Sequence, residues 1–161
     1  MIAASCDNSE KTESTAFNSL LQLILSDSVP TISVTELSRI CEEVTILDTR
    51  EAEEYNVSRI PGSVHAGFDE FDITKMDQTP KNTPIVVYCS VGYRSEKIGE
   101  KLKNAGFQNV RNLYGGIFEW VNQQQTVVND DGPTNKIHPY GIFWSTWINS
   151  DKITTAYADD R

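Results

Sequence analysis

Ile85-Val86-Val87-Tyr88-Cys89-Ser90-Val91-Gly92-Tyr93-Arg94-Ser95 changes, within one short loop, from an unbroken apolar run into the start of an amphipathic helix. Four consecutive apolar residues, three of them β-branched, read as a strand covered on both faces, as parallel strands are. From Tyr93 or Arg94 to Ala105 the period becomes helical, with Ile98, Leu102 and Ala105 on one face and Gly106 as the stop. Outward from this unit the alternation repeats. Upstream, Ser33-Val34-Thr35-Glu36 has the form of a capping box at the start of a helix through about Cys41, and Val44-Thr45-Ile46-Leu47 reads as a strand ending in Asp48-Thr49-Arg50-Glu51. Ile60-Pro61-Gly62 must turn, Ser63 to Ala66 can make a short strand, and Phe68 to Ile73 a loose helical turn. Downstream, Asn109 to Leu113 reads as a strand, Tyr114-Gly115-Gly116 as a break, and Ile117, Trp120 and Val121 as the apolar face of a last helix. Short strands alternating with helices across residues 31–125 predict an open α/β domain with a mostly parallel sheet.

The flanks differ in character. Residues 1–30 begin with a polar stretch and continue into Phe17, Leu20, Leu21, Ile24 and Leu25 at helical spacing, a tail followed by a short amphipathic helix. Residues 126–161 hold polar turns and the aromatic run around Phe143, Trp144 and Trp147, expected to fold back onto the core because three aromatics within five residues are poorly accommodated by water. With 161 residues, the chain is long enough for one core with extensions but not for two domains that each bury their own. Twenty-three acidic against fourteen basic residues, a net charge of -9 with no Lys/Arg cluster, argue against a nucleic-acid binder, and no apolar run approaches a membrane span. Three cysteines, Cys6, Cys41 and Cys89, without C-x-x-C spacing suggest neither a disulfide framework nor a zinc site.

Chemistry concentrates in the loop after the central strand. In an open α/β sheet, ligands sit outside the carboxyl ends of the strands, where a helix amino terminus offers unpaired N–H groups to an anion. A Cys89 thiolate there is stabilised by those amides and is a competent nucleophile. Gly92 lets the loop curl so that its amides converge, Arg94 adds a fork of donors for an oxyanion, and Ser95 can cap the helix or bond the sulfur. Ser90, Val91, Gly92, Tyr93, Arg94 and Ser95 are therefore the candidate substrate-binding residues around Cys89. His65 and His138 have no Cys or His neighbour at metal spacing, Glu51, Glu53 and Glu54 read as a solvated helix face, and Cys41 as a packed thiol at a helix end, with a resolving thiol for Cys89 as the alternative.

Leu47-Asp48-Thr49-Arg50, Arg59-Ile60-Pro61-Gly62-Ser63, Val87-Tyr88-Cys89 with Gly92, Arg94 and Ser95, and Leu113-Tyr114-Gly115-Gly116 with Trp120 together resemble the rhodanese family in order and spacing, over about residues 31–125. Arg59 stands where that family often has His. The resemblance implies a rhodanese-like fold, a mostly parallel five-stranded sheet flanked by helices, and a cysteine that carries sulfur as a persulfide. It further suggests that Asp48 and Arg50 support the loop from behind. The expected partners are a small anionic sulfur donor, thiosulfate or a persulfide, and a thiol or cyanide acceptor, with no metal or organic cofactor required. Two rival functions follow from the same residues. One is a non-catalytic docking or regulatory module. The other is a cysteine phosphatase or arsenate reductase, which needs Cys-x5-Arg; here Arg94 is five positions after Cys89 and Ser95 is the sixth. Taken from Met1, the sequence has no charged n-region followed by an apolar stretch and predicts a cytoplasmic protein. Ile2-Ala3-Ala4-Ser5-Cys6 is also similar to the end of a bacterial lipoprotein signal, and with a start upstream Cys6 would be a lipid anchor outside the cytoplasm.

Overall fold

The structure, a computed structural model, describes residues 12–158. Its centre is one parallel sheet. β2 (Thr45–Asp48), β4 (Ile85–Tyr88) and β5 (Val110–Leu113) form the middle, β1 (Thr31–Ile32) and β3 (Val64–His65) the edges, in the order β1-β5-β4-β2-β3. β1 is the strand that pattern reading does not find, since two residues carry no period. Every residue of β4 is buried, and side chains alternate between two cores as the pleat requires. Val86 and Tyr88 face one core with Ile46, Leu113 and the helices α1 (Thr15–Ile24), α2 (Val34–Ile40) and α5 (Gly116–Asn122). Ile85 and Val87 face the other with Leu47 and the Ile98 and Leu102 side of α4 (Tyr93–Asn104).

Local signals fare unevenly. Ser33 caps α2 by accepting from the Glu36 amide, but the carboxylate half of the expected box goes elsewhere: Glu36 pairs with Arg111 at 2.5 Å. The reciprocal geometry occurs instead at α3 (Ala52–Val57), where the Glu54 carboxylate accepts from the Glu51 amide at 3.1 Å. The helical turn expected over residues 68–73 lies later, as a 3-10 turn at Ile73–Met76 capped by the Asp72 side chain.

After α5 the chain makes a hairpin of β6 (Val127–Asn129) and β7 (Gly132–Thr134), tied to the domain by reciprocal backbone bonds between Arg59 and Val128. β8 (Lys136–Ile137) then pairs with β9 (Thr154–Thr155), and the segment between them carries the one-turn helix α6 (Ile142–Ser145). Trp147 stacks on Phe17 of α1 with ring centroids 5.4 Å apart, and Trp144 and Ile148 are partly buried against the same core. The expectation that all three aromatics leave water fails at Phe143, which is 89 % exposed. A single helical turn has only one inward face, and Trp144 occupies it. Ile142, 80 % exposed, stays outside with Phe143.

Two devices set the carboxyl edge of the sheet. The first is a buried ion pair. Arg50 donates from Nε and Nη2 to Asp48 at 3.0 and 2.6 Å and from Nη2 to the Ser58 carbonyl at 2.6 Å, and both side chains are fully buried. The Tyr88 hydroxyl donates to Asp48 at 2.5 Å while accepting from the Ile60 amide at 3.2 Å, so the Ile60-Pro61-Gly62 turn is fastened to the ends of β2 and β4. Burial and the adjacent Asp48 charge push the Tyr88 phenol well above its ordinary value, which keeps it a donor.

The second device is Gly116. Its backbone, at φ +56°, lies so close to the loop after β4 that a Cβ would fall 2.3 Å from the Cys89 carbonyl oxygen and 2.6 Å from that of Ser90. This approach lets the Ile117 and Phe118 amides donate to those two carbonyls at 2.9 and 3.1 Å.

Arg50→Met leaves the Asp48 charge buried without its cation and is expected to lower unfolding stability by about 3–5 kcal/mol. Urea titration measures it, and a loss under about 1 kcal/mol would show that the pair is not structural. Gly116→Ala meets backbone atoms that cannot yield, and the expected result is a large drop in urea midpoint. A midpoint equal to wild type would mean that α5 can stand off from the loop.

Candidate active site

The loop from Cys89 to Ser95 runs from the end of β4 to the first turn of α4, and each of its parts has a local cause. Gly92 precedes α4 at φ +117°, a backbone state that side chains rarely adopt, and there the chain reverses so that its own amide points back at the sulfur. The Gly92 N–H donates to Cys89 Sγ at 3.1 Å. Ser95 Oγ lies 3.5 Å from the same sulfur, 2.7 Å from Asn112 Oδ1 and 3.1 Å from the Gly92 carbonyl. One hydroxyl proton thus has three acceptors in reach, and it can turn to the sulfur when that atom is anionic. Asn112 holds the arrangement by donating from Nδ2 to the Gly92 carbonyl at 2.9 Å. The first amides of α4 have no carbonyl within their own helix to bond, which keeps the electropositive helix end facing the loop.

Arg94 is placed differently from the expectation of a free oxyanion fork. Its Nη1 and Nη2 each donate to the Glu54 carboxylate at 2.7 Å, and Nη2 also reaches Ser90 Oγ at 3.1 Å. Ser90 Oγ in turn donates to Glu54 at 3.1 Å. Glu54 is therefore no part of a solvated helix face: it is buried, whereas Glu53 beside it is exposed. Burial alone would raise the Glu54 carboxyl, but the hydrogen bonds and charge of Arg94 outweigh it and hold the carboxyl below its ordinary value. Arg94, although burial opposes its charge, stays a cation through the same pair. The Tyr140 ring, from the segment between β8 and α6, covers the guanidinium at 4.5 Å from its centroid.

Above the thiol opens a cavity of about 330 Å³. Cys89, Ser90, Val91, Tyr93 and Arg94 form its floor and one side, and Ile24, Tyr140 and Trp144 the rest. Of the residues singled out from sequence, Cys89, Ser90, Val91, Tyr93 and Arg94 line this cavity, while Gly92 and Ser95 touch the sulfur without being part of the lining. Asp48 and Arg50 do not reach the cavity lining; they stand behind the loop, joined to it through Tyr88, the residue before Cys89. His65 bonds the Arg50 carbonyl at 2.8 Å through Nε2. Cys41 packs against the core with its thiol 3.8 Å from the Ser38 carbonyl, and Cys6 lies outside the described residues. Among the described residues no group of three or more His, Cys, Asp or Glu side chains is arranged to hold a metal. No helix there is long and apolar enough to cross a membrane.

Glu54 and Asn112 are the site residues that sequence reading misses. Asn112 left a trace, a polar side chain in the otherwise buried end of β5. Glu54 left none, since its partner Arg94 is 40 positions away.

Comparison with known proteins bears on the domain that carries this loop. The family model described as rhodanese-like domain matches residues 33–123, more than half of the chain. A Bacillus subtilis protein named as a candidate sulfur carrier, YrkF, is 32 % identical over 103 residues, covering 62 % of this chain and 55 % of its own length. The adenylyltransferase and sulfurtransferase UBA4 of Meyerozyma guilliermondii is 34 % identical over 85 residues, 48 % of this chain and 20 % of that protein. Among solved structures, a rhodanese-like domain protein of Staphylococcus aureus superposes with a TM-score of 0.51 at 29 % identity, over 56 % of this chain and 90 % of that one. The chain thus spans about half of one curated relative and a fifth of the other, and what they share is one domain. On that match, and on a five-stranded parallel sheet that carries the thiol loop at its carboxyl edge, the chain belongs to the rhodanese-like domain family.

Proposed function

We propose that the protein is a sulfurtransferase in which Cys89 accepts a sulfane sulfur, carries it as a persulfide and delivers it to a nucleophile. The carrying observation is Cys89 among the residues that line the cavity, its Sγ held by the Gly92 amide at 3.1 Å and the Ser95 hydroxyl at 3.5 Å. Residues 31–125 would be the transfer domain, with residues 1–30 and 126–161 as additions to it. The named roles of the relatives, a candidate sulfur carrier and a sulfurtransferase, support the class of chemistry and leave donor and acceptor open.

In the first step the Cys89 thiolate attacks the outer sulfur of thiosulfate or of a persulfide. The donor's S–S bond breaks, its electron pair leaves on sulfite or a thiolate, and Cys89 keeps the transferred sulfur as a persulfide anion. In the second step an acceptor thiolate or cyanide attacks that outer sulfur, and the electron pair returns to Cys89. On the enzyme the charge stays on sulfur in both steps, so the work of the protein is to stabilise it with the Gly92 amide, the Ser95 hydroxyl and the end of α4. No metal or organic cofactor enters either step.

A phosphatase role fits the geometry less well. A tetrahedral oxyanion needs a free guanidinium on a wider loop, and Arg94, five positions after Cys89, is held by Glu54.

Incubation of the full chain with thiosulfate or an organic persulfide should add the mass of one sulfur atom at Cys89, and Cys89→Ser should stay unmodified. A wild-type protein that gains nothing from any donor would leave the non-catalytic docking module as the better account. Ser95→Ala removes one of the two donors near the sulfur and should slow loading about a hundredfold, the low end for loss of such a group. Stopped-flow sulfur loading measures it, and an unchanged rate would remove Ser95 from the mechanism. Aryl phosphate hydrolysis dependent on Cys89 is expected to be absent, and efficient turnover would overturn the assignment.

A further inference from the structure

Three of the eight residues that line the cavity over Cys89 come from outside the matched family domain. Ile24 ends α1, and Tyr140 and Trp144 belong to the C-terminal segment, all beyond residues 33–123. With Val91 and Tyr93 they line a space of about 330 Å³, near the lower end of the range for small-molecule sites. Trp147, stacked on Phe17, joins the two extensions into one wall.

Charge at this cavity is already balanced. Arg94 is the only cation among the lining residues, and both arms of its guanidinium are on Glu54 while Tyr140 covers its face. A dianion entering here would lose its hydration against apolar walls and a neutralised ion pair, with backbone amides as the main compensation. An apolar group beside the reacting sulfur would gain by burial against Ile24, Tyr140 and Trp144.

We infer that the sulfur donor is an organic one, a sulfane sulfur borne on an apolar group with no more than one negative charge, such as a thiosulfonate or an apolar persulfide, selected by Ile24, Tyr140 and Trp144. This rests on the sulfur-transfer reading of Cys89. With a thiosulfonate, the Cys89 thiolate bonds the terminal sulfur, the sulfur–sulfur bond of the donor breaks, and its electron pair leaves on the organic sulfinate. One negative charge enters on each reactant and one leaves on each product, with no proton, oxidant or reductant required.

The test compares benzenethiosulfonate with thiosulfate on the full chain. Calorimetry on Cys89→Ser, which binds without reacting, should show benzenethiosulfonate at least about tenfold tighter, as burial of one aromatic ring allows. Tyr140→Ala, Trp144→Ala and Ile24→Asp, made in that background and checked by thermal unfolding, should each bring the ratio of the two affinities toward one. The first two alter the C-terminal segment and the third alters α1, so local unfolding of one segment leaves the other wall as a test. Equal or tighter binding of thiosulfate, or a ratio unmoved by all three substitutions, overturns the inference. A preference that persists while wild type gains no sulfur from either donor supports the pocket's selectivity and refutes the sulfur-transfer reading instead.

Discussion

The close approach of α5 to the loop after β4 is the constraint on which the site depends. Because Gly116 has no side chain, the amides of Ile117 and Phe118 reach the carbonyls of Cys89 and Ser90. In a trans peptide the N–H points opposite to the C=O, so anchoring these two carbonyls turns the amides of Ser90 and Val91 away from α5. Gly92 then reverses the chain and aims its own amide at the sulfur. Two glycines 24 positions apart in sequence thus orient one short stretch of backbone, and a thiol that would otherwise be a small apolar filler at a strand end sits among donors.

Two ion pairs frame that stretch and do different work. Asp48 and Arg50 are wholly buried and pair through Nε and Nη2 of the guanidinium, and Tyr88 and the Ser58 carbonyl add to the cluster. They fasten the Ile60-Pro61-Gly62 turn and β4 together, so the residue before Cys89 cannot drift. Glu54 and Arg94 lie at the cavity itself, and Arg94 is 12 % exposed. That pair fixes Ser90 and occupies both arms of the guanidinium that a small oxyanion would seek, and in the proposed donor preference selectivity would pass from charge to shape. The chain's net charge of -9 acts in the same direction, though screening limits its reach to about 10 Å.

The part of this that was legible in the sequence is the part written in contiguous residues. β4, the loop and α4 follow one another without interruption, and the change from an unbroken apolar run to a helical period of 3.6 marks the junction at Cys89. The spacing of Asp48, Arg50, Gly92 and Arg94 pointed to the family and hence to the sheet. What escaped depends on distant partners. Glu54 looks like its exposed neighbour Glu53 until Arg94 is brought beside it, and Asn112 matters only because β5 runs next to β4. Tyr140 and Trp144 were legible as aromatics but not as walls of the cavity, because their placement rests on the stacking of Trp147 with Phe17, 130 positions away. Phe143 shows the converse, an aromatic side chain left in solvent because the single turn of α6 offers only one buried side.

The most direct measurement is a crystal structure of the full chain after loading with a sulfane sulfur donor. The account predicts one additional sulfur bonded to Cys89 Sγ and projecting into the cavity, with Gly92 and Ser95 still within hydrogen-bond reach of Sγ. The loop should be unmoved and α5 still seated on the carbonyls of Cys89 and Ser90. A bare Cys89 with the added sulfur on Cys41, or a loop that must leave α5 to accept it, would contradict the account.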